Sequence, residues 1–290
     1  MSRAAVTTVA MDDRGLAFGD GLFETLFVNQ GAPVALPEHL TRLRLGLRRL
    51  GLPEPSPQIV FDALAAAIGE GASTGVCKLI ITAGSGPRGY RRPPVPELEV
   101  FASFGPLPPL PPREVAVELS PVPLVGLPRL CGLKHLNRLV QVMAQQALPA
   151  GPVDALMTDA GGRVVSGTMG NLFWRERGGW HTPPLAPGVI AGTRRAWLIE
   201  ALAARITPCA TGRLALAEAA FLSNALSAWR PIGQLLGRKL HEVEQQPAAE
   251  LRSIGGFWQP PPAAANPWPA SLSEAMAATC WGRVAARDGI

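Results

Sequence analysis

Residues 105–113 read GPLPPLPPR, and this run restricts the fold more than any other feature of the chain. Proline fixes φ and offers no backbone N–H, so a stretch this rich in it can neither continue a helix nor sit inside a sheet. It is stiff and extended, a natural place for one domain to end and another to begin. That division predicts an N-terminal α/β domain over residues 1–106, a proline-rich linker over 107–113 and a second domain over 114–250. Beyond residue 250 the segment FWQPPPAAANPWPAS is dominated by proline and alanine, so 251–290 reads as a Pro/Ala-rich extension of uncertain structure. A chain of 290 residues is long enough for two domains, and its 47% hydrophobic content supplies the cores.

The clearest helix covers 36–50, where Leu36, Leu40, Leu43, Leu47 and Leu50 step by fours and threes into one apolar stripe. Pro37 suits its first turn, and Gly51 with Pro53 ends it. A second helix is predicted over 57–69. Val76–Thr82 and Leu98–Phe104 read as strands. After the linker, Val115, Val117 and Leu119 alternate as a half-buried strand. Leu136, Leu139, Val140, Met143 and Ala147 mark a helix. VDALMTD, RVVS and NLFWRE follow as consecutive antiparallel strands around a turn at Gly161–Gly162. A helix over Thr193–Ala204 and a short strand in AAFLSNA complete the pattern. Strands and helices mix without regular alternation, so the fold class is α+β in two domains.

Several function classes are excluded at this level. No apolar run is long enough to span a bilayer, so no membrane association is expected. Met1–Met11 lacks a basic stretch followed by an apolar one, so no secretory signal is expected, and the chain is expected to be cytoplasmic. Cys77, Cys131, Cys209 and Cys280 are scattered without a CxxC pair, which fits reduced thiols and no metal site. The net charge of +5 comes from arginines spread along the chain and not interleaved with aromatics, so no nucleic-acid partner is expected. A positive field favours a small anionic substrate instead. Lysine is scarce: only Lys78, Lys134 and Lys239 offer an amine nucleophile.

Five segments carry possible chemistry. GLKHLNRL (132–139) places Lys134 at the expected start of a helix beside His135, Asn137 and Arg138. An amine nucleophile needs a desolvated or cation-rich setting, which Leu133, Leu136 and Arg138 could supply. A lysine there is more often a solvated surface residue. APGVIAGTRRAW (186–197) is a glycine-punctuated loop entering a helix, with free amides, Thr193, Arg194 and Arg195 suited to a phosphate, or else an ordinary loop-to-helix junction. SNALSAW (223–229) is a second small-polar loop after a strand, containing Ser223. FGDGLFET (18–25) crowds Asp20 and Glu24 between glycines, and His39 with Arg42 follows at i, i+3 on one helix face. GSGPRGY (84–90) is a glycine loop bearing Arg88 and Tyr90, the chain's single tyrosine; it is either a ligand loop or a plain turn.

Taken in order, DRGLAFGDGLFET, PEHLTRL, GSGPRGY, GLKHLNRL, GNLFW, GVIAGTRR and SNAL resemble the class IV aminotransferase family, which has the fold-type IV architecture of pyridoxal-phosphate (PLP) enzymes. The match runs from about residue 12 to residue 235. KHLNRL and GSGPRGY are most similar to the aminodeoxychorismate lyases within it. The resemblance implies a D-amino acid aminotransferase-like fold, with a small N-terminal α/β domain and a larger, PLP-binding C-terminal domain containing a mixed, barrel-like sheet. It implies a homodimer. It implies that Lys134 holds PLP covalently and later moves protons, that Arg42 reaches the phosphate, and that Ile190, Ala191, Gly192, Thr193, Ser223, Asn224 and Ala225 complete the phosphate cradle. Arg88 and Tyr90 would approach the substrate.

One position departs from the family pattern. The family usually carries a glutamate five residues before the asparagine of the GNLFW-type segment, facing the cofactor's ring nitrogen. Here that position is Ser166. A serine can hydrogen-bond the nitrogen but cannot form an ion pair with it. The implied activity is conversion of 4-amino-4-deoxychorismate to 4-aminobenzoate and pyruvate in folate synthesis. The alternatives are a D-amino-acid or branched-chain aminotransferase, or a non-catalytic homologue.

Overall fold

A computed structural model describes residues 8–70, 74–108, 115–148, 154–227 and 229–240. Most of the expected linker 107–113 and all of the extension 251–290 lie outside the described residues. The chain divides into two compact units. Among the described residues, the first holds those up to Pro108 together with Lys134–Leu136. The second holds those from 115 to Leu133 and from Asn137 onward.

The first unit contains helix α1 (Arg14–Phe18), strands β1 (Gly21–Asn29) and β2 (Ala32–Pro33), helices α2 (Leu36–Leu50) and α3 (Pro57–Ile68), and strands β3 (Gly75–Thr82) and β4 (Glu99–Gly105). The strands form an antiparallel sheet in the order β2-β1-β3-β4. The leucine stripe does what its spacing predicts: Leu36, Leu40, Leu43 and Leu47 are buried. Gly51 closes α2 in the left-handed conformation at φ 66°, which a side chain would resist. Ser56 caps α3, its hydroxyl accepting from Ile59 N at 3.4 Å. Gly46 lets α2 approach β1 closely, since a Cβ there would stand 2.6 Å from Leu22 Cδ1.

The second unit contains β5 (Val115–Leu119), α4 (Leu139–Gln146), β6 (Asp154–Thr158), β7 (Arg163–Gly167), β8 (Asn171–Glu176), β9 (Gly179–Thr182), α5 (Thr193–Ala201), β10 (Arg205–Ile206), β11 (Cys209–Ala210), β12 (Ala219–Ser223), β13 (Arg230–Leu235) and β14 (Arg238–Lys239). The strand order is β10-β9-β8-β12-β13-β5-β6-β7-β11, with β14 on β13. The sheet is mixed, because β13–β5, β5–β6 and β10–β9 are parallel and the other pairs antiparallel. Its curl follows from the topology. β7 and β8 lie far apart in the strand order, yet a short turn joins them and Gly167 N donates to Gly170 O at 2.8 Å. The sheet must therefore wrap round on itself, as the barrel-like expectation required.

Alternation sorts the side chains of this sheet. Leu172 and Trp174 of β8, with Ala220 and Leu222 of β12, enter one cluster that includes Val117, Leu156 and Ile232. Phe173 and Phe221, one residue out of phase, enter another with Leu198 of α5. This is the two-residue period of a strand covered on both faces. Two expectations need correction. The helix read from Leu136 begins only at Leu139, and its apolar residues are largely exposed, with Leu139 at 69% and Met143 at 52%. Strands β1, β9 and β13 were not foreseen; β9, GWHT, is too short for an alternation pattern to register. Among the described residues no helix is long and apolar enough to cross a membrane. Burial pushes the Cys77 thiol up to about 11 and that of Cys209 up to about 12, so both remain protonated thiols.

Candidate active site

Lys134 does not start a helix. It lies in an extended segment that pairs antiparallel with β1, through a bridge between Leu22 and His135. Phe23 N donates to Lys134 O at 2.9 Å, and Leu136 N donates to Gly21 O at 3.0 Å. These bonds occupy the backbone groups that a helix would have used. Lys134 is half-buried, and its Nζ stands 4.1 Å from the centroid of the Phe23 ring. An ammonium over an aromatic face is attracted by the ring while losing part of its hydration. The residue is therefore no freely solvated surface lysine.

In the second unit, Gly132 N donates to Val189 O at 2.9 Å and Ala191 N donates to Gly132 O at 3.0 Å, so the loop 189–191 is fixed by the residue two before Lys134. Asn171, the first residue of β8, donates from Nδ2 to Ile190 O at 3.0 Å. A Cβ on Gly192 would collide with Asn171 Oδ1, so a side chain there would displace the asparagine. Gly192 caps α5 without any side-chain hydrogen bond, and Thr193 is the first helical residue. Gly192 and Thr193 thus stand at the positive end of α5, where an anion is favoured. Arg194 and Arg195 are both buried. Arg195 donates to Pro183 O at 2.8 Å, and burial lowers its pKa from the usual arginine range.

Asn171 also faces Ser223 across the β8–β12 ladder. The same asparagine therefore supports the 190 loop and borders the 223 loop. Ser223 is 2% exposed, and its Oγ has no hydrogen-bond partner among the described residues. A buried hydroxyl left unpaired costs about 1–3 kcal/mol, so it marks a place where a partner is missing. Asn224 holds the following turn, accepting from Leu226 N at 3.0 Å and Ser227 N at 2.8 Å and donating to Met169 O at 3.1 Å. Ala225 lies within that turn, half-buried. Ser166, in β7, is buried and donates to Gly170 O at 2.9 Å. Its lone pairs remain to accept, but it carries no charge to offer.

Arg42 is committed within the first unit. Its Nε donates to Glu24 Oε1 at 2.9 Å and its Nη2 to Oε2 at 2.5 Å, while His39 Nδ1 meets the same carboxylate at 2.6 Å. Burial raises the pKa of the Glu24 carboxyl, but the Arg42 charge and the His39 and Arg42 hydrogen bonds outweigh it and hold the group at about 2. The sequence reading noticed His39 and Arg42 and did not pair them with Glu24. It also used Asn171 only as a landmark. Arg88 and Tyr90 are exposed, and the Tyr90 ring meets Phe18 edge-on with centroids 5.4 Å apart.

A profile described as amino-transferase class IV matches residues 21–235. The chain belongs to the class IV aminotransferase family. Membership makes it a PLP-dependent enzyme of fold-type IV. It is 36% identical to 4-amino-4-deoxychorismate lyase from Pseudomonas aeruginosa, with a TM-score of 0.78 covering 87% of this chain and 97% of that one. It is 30% identical over 201 residues to aminodeoxychorismate lyase of Vibrio harveyi, covering 68% of this chain and 74% of the relative. A putative branched-chain-amino-acid aminotransferase of Methanocaldococcus jannaschii is 27% identical over 267 residues, 86% of this chain and 92% of that protein. The second unit's residues fit the cofactor's phosphate: Ser223 Oγ lacks a partner among the described residues, and the N-cap of α5 is a glycine, which lets an anion approach the backbone.

Proposed function

We propose that this class IV enzyme is a lyase that converts 4-amino-4-deoxychorismate into 4-aminobenzoate and pyruvate, acting as a cytoplasmic homodimer. The two lyase relatives support the substrate, at 36% and 30% identity. The observation that carries the site is Lys134, half-buried over Phe23 and one of three lysines in the chain. Bound PLP supplies an electron sink for the ring carbon that bears the amino group. Lys134 would hold the cofactor, and once the substrate's amino group has displaced its amine, that amine would take the proton from the ring carbon. The C–O bond on the neighbouring carbon would then break, enolpyruvate would leave and take up a proton to become pyruvate, and the ring would become aromatic. Ser223 and Thr193 offer hydroxyls to the phosphate and Gly192, Thr193 and Ala225 amides, while Ile190, Ala191 and Asn224 shape the cradle, the Ala191 and Asn224 amides being bonded to Gly132 O and Ser227 O. Arg42 adds a charge kept rigid by Glu24, and Arg88 and Tyr90 meet the substrate.

Ser223→Ala separates two states. Without PLP the variant is expected to be as stable as the parent or more so, by up to about 2 kcal/mol, because an unpaired buried hydroxyl is removed. Its PLP affinity is expected to fall by roughly ten-fold, the loss of one hydrogen bond to a charged group. Melting of the PLP-free protein and a PLP titration measure the two effects. Equal destabilisation in both states would remove Ser223 from the cradle.

Ser166 bears on the reaction type. A neutral partner leaves the ring nitrogen a weaker electron sink, a greater handicap to transamination than to a lyase whose product gains aromaticity. Ser166→Glu is therefore expected to change lyase turnover only a few-fold and to raise aminotransferase turnover at least ten-fold, within the range that positioned charge provides in catalysis. A strong rise in lyase turnover would mean that serine is simply a defect.

The second reading is an aminotransferase, supported by the archaeal relative that covers 86% of the chain. Purified protein given aminodeoxychorismate and assayed for 4-aminobenzoate, against amino donors with 2-oxoglutarate, separates the two.

A further inference from the structure

The loop that carries Arg88 and Tyr90 is clamped from beneath. Arg14 donates from Nη1 to Gly89 O at 3.1 Å and from Nη2 to Tyr90 O at 2.8 Å. Arg92, at the far end of the loop, donates from Nη1 to Leu50 O at 2.5 Å, at the C-terminus of α2, where a cation is favoured. Both guanidinium groups converge on one carboxylate. Asp20 Oδ2 accepts from Arg14 Nε at 3.0 Å and from Arg92 Nε at 2.8 Å, and Asp20 Oδ1 accepts from Arg92 Nη2. Burial raises the Asp20 pKa, but the hydrogen bonds and charges of Arg92 and Arg14 reverse this and lower it overall. The aspartate of the FGDG segment is thus the hub of a clamp spanning α1, the end of α2 and the 84–92 loop.

The clamp treats backbone and side chains differently. It fixes two consecutive carbonyls and the loop's last residue. It leaves Arg88, Tyr90 and Arg91 exposed, and among the described residues neither Arg88 nor Arg91 has an ion-pair partner. Ordering a loop costs backbone entropy at every residue, and a connecting turn does not require it. Two unpaired cations beside an aromatic ring, on a backbone held still, make a recognition element for a ring-bearing molecule with carboxylate groups.

We propose that Asp20 is a positioning residue which, through Arg14 and Arg92, presents Arg88, Tyr90 and Arg91 to the carboxylates of the substrate, and that Arg91 belongs to that recognition set. This rests on the reading that Arg88 and Tyr90 meet substrate. The test uses the full-length, PLP-loaded enzyme and four variants, the fourth being Arg91→Ala. Arg92→Met breaks the clamp at its more exposed arm, Asp20→Asn breaks it at the hub, and Arg88→Ala probes the loop's side chain directly. Amide hydrogen exchange over 84–92 is measured with KM and kcat for 4-amino-4-deoxychorismate.

The expected result is faster exchange at 84–92 in both clamp variants, with KM raised about ten-fold and kcat held within about two-fold, as lost preorganisation predicts. Unchanged exchange in both clamp variants would overturn the clamp. Faster exchange with unchanged KM, while Arg88→Ala raises KM, would overturn the positioning role and leave the substrate reading standing. If Arg88→Ala also leaves KM unchanged, the substrate reading fails and the positioning role falls with it. Arg91→Ala is expected to raise KM less than Arg88→Ala but measurably; no change would remove Arg91 from the set.

Discussion

Lys134→Ala is expected to leave a folded protein that no longer traps cofactor with borohydride and turns over roughly 10⁴-fold more slowly, the upper range for a group that moves the reacting proton. The fold should survive because the side chain is only half-buried, with its Nζ over the face of Phe23. The strand-like hydrogen bonds that fix the segment come from the backbone at Lys134 and Leu136, and alanine keeps them. An added small amine should restore part of the rate, since the missing group is a proton carrier whose position the backbone still defines. The measurement is turnover of aminodeoxychorismate with circular dichroism as a check on folding. Loss of activity through unfolding would show as loss of both signals. Retained activity with intact folding would remove Lys134 from the chemistry.

Glu24→Gln is expected to destabilise the first unit by about 3–5 kcal/mol, the cost of breaking a buried ion pair by removing one partner. The carboxylate is 1% exposed and serves both His39 and Arg42. Glutamine keeps the shape but turns an N–H₂ donor toward a guanidinium and leaves the Arg42 charge without its anion. The pH dependence follows from the same geometry. The folded carboxyl has its pKa near 2 against an ordinary 4.5. The stabilisation from this depression is fully present above 4.5 and is lost as pH falls toward 2. A shift of this size corresponds to about 3 kcal/mol, in line with the mutational figure. Urea unfolding at neutral pH and near pH 3 tests both. Parent and variant should converge on acidification. A constant difference across that range would show that shape, not charge, is responsible.

What the sequence made legible, and what it did not, follows from range. α2 could be read because all four of its buried leucines lie on one face within the helix itself. Glu24 was also legible in principle. It falls in phase with Leu22, Leu26 and Val28, the inward positions of β1, an alternation that would have placed it in the interior had a strand been read there. A buried carboxylate requires a cation, and the His39/Arg42 pair was the nearest pattern able to provide one. The setting of Lys134 was not legible. Its neighbours suggested a helix, but its carbonyl accepts from Phe23 N and the amide of Leu136 donates to Gly21 O, more than a hundred residues earlier, and no local pattern reports such pairing. The same holds for α4, whose stripe has helical spacing yet faces outward at Leu139 and Met143. Periodicity identifies a face and does not say what covers it. Asn171 stood within a segment already singled out, but its importance appears only once Ser223 and Ile190 are brought to it by the sheet.

The central claim is that the amine at position 134 carries the cofactor, and borohydride reduction of the purified protein followed by peptide mass mapping tests it most directly. The account predicts loss of the visible absorption band and a pyridoxyl adduct on the peptide containing Lys134. An adduct on Lys78 or Lys239 instead, or none on a protein that has been given PLP, would contradict it.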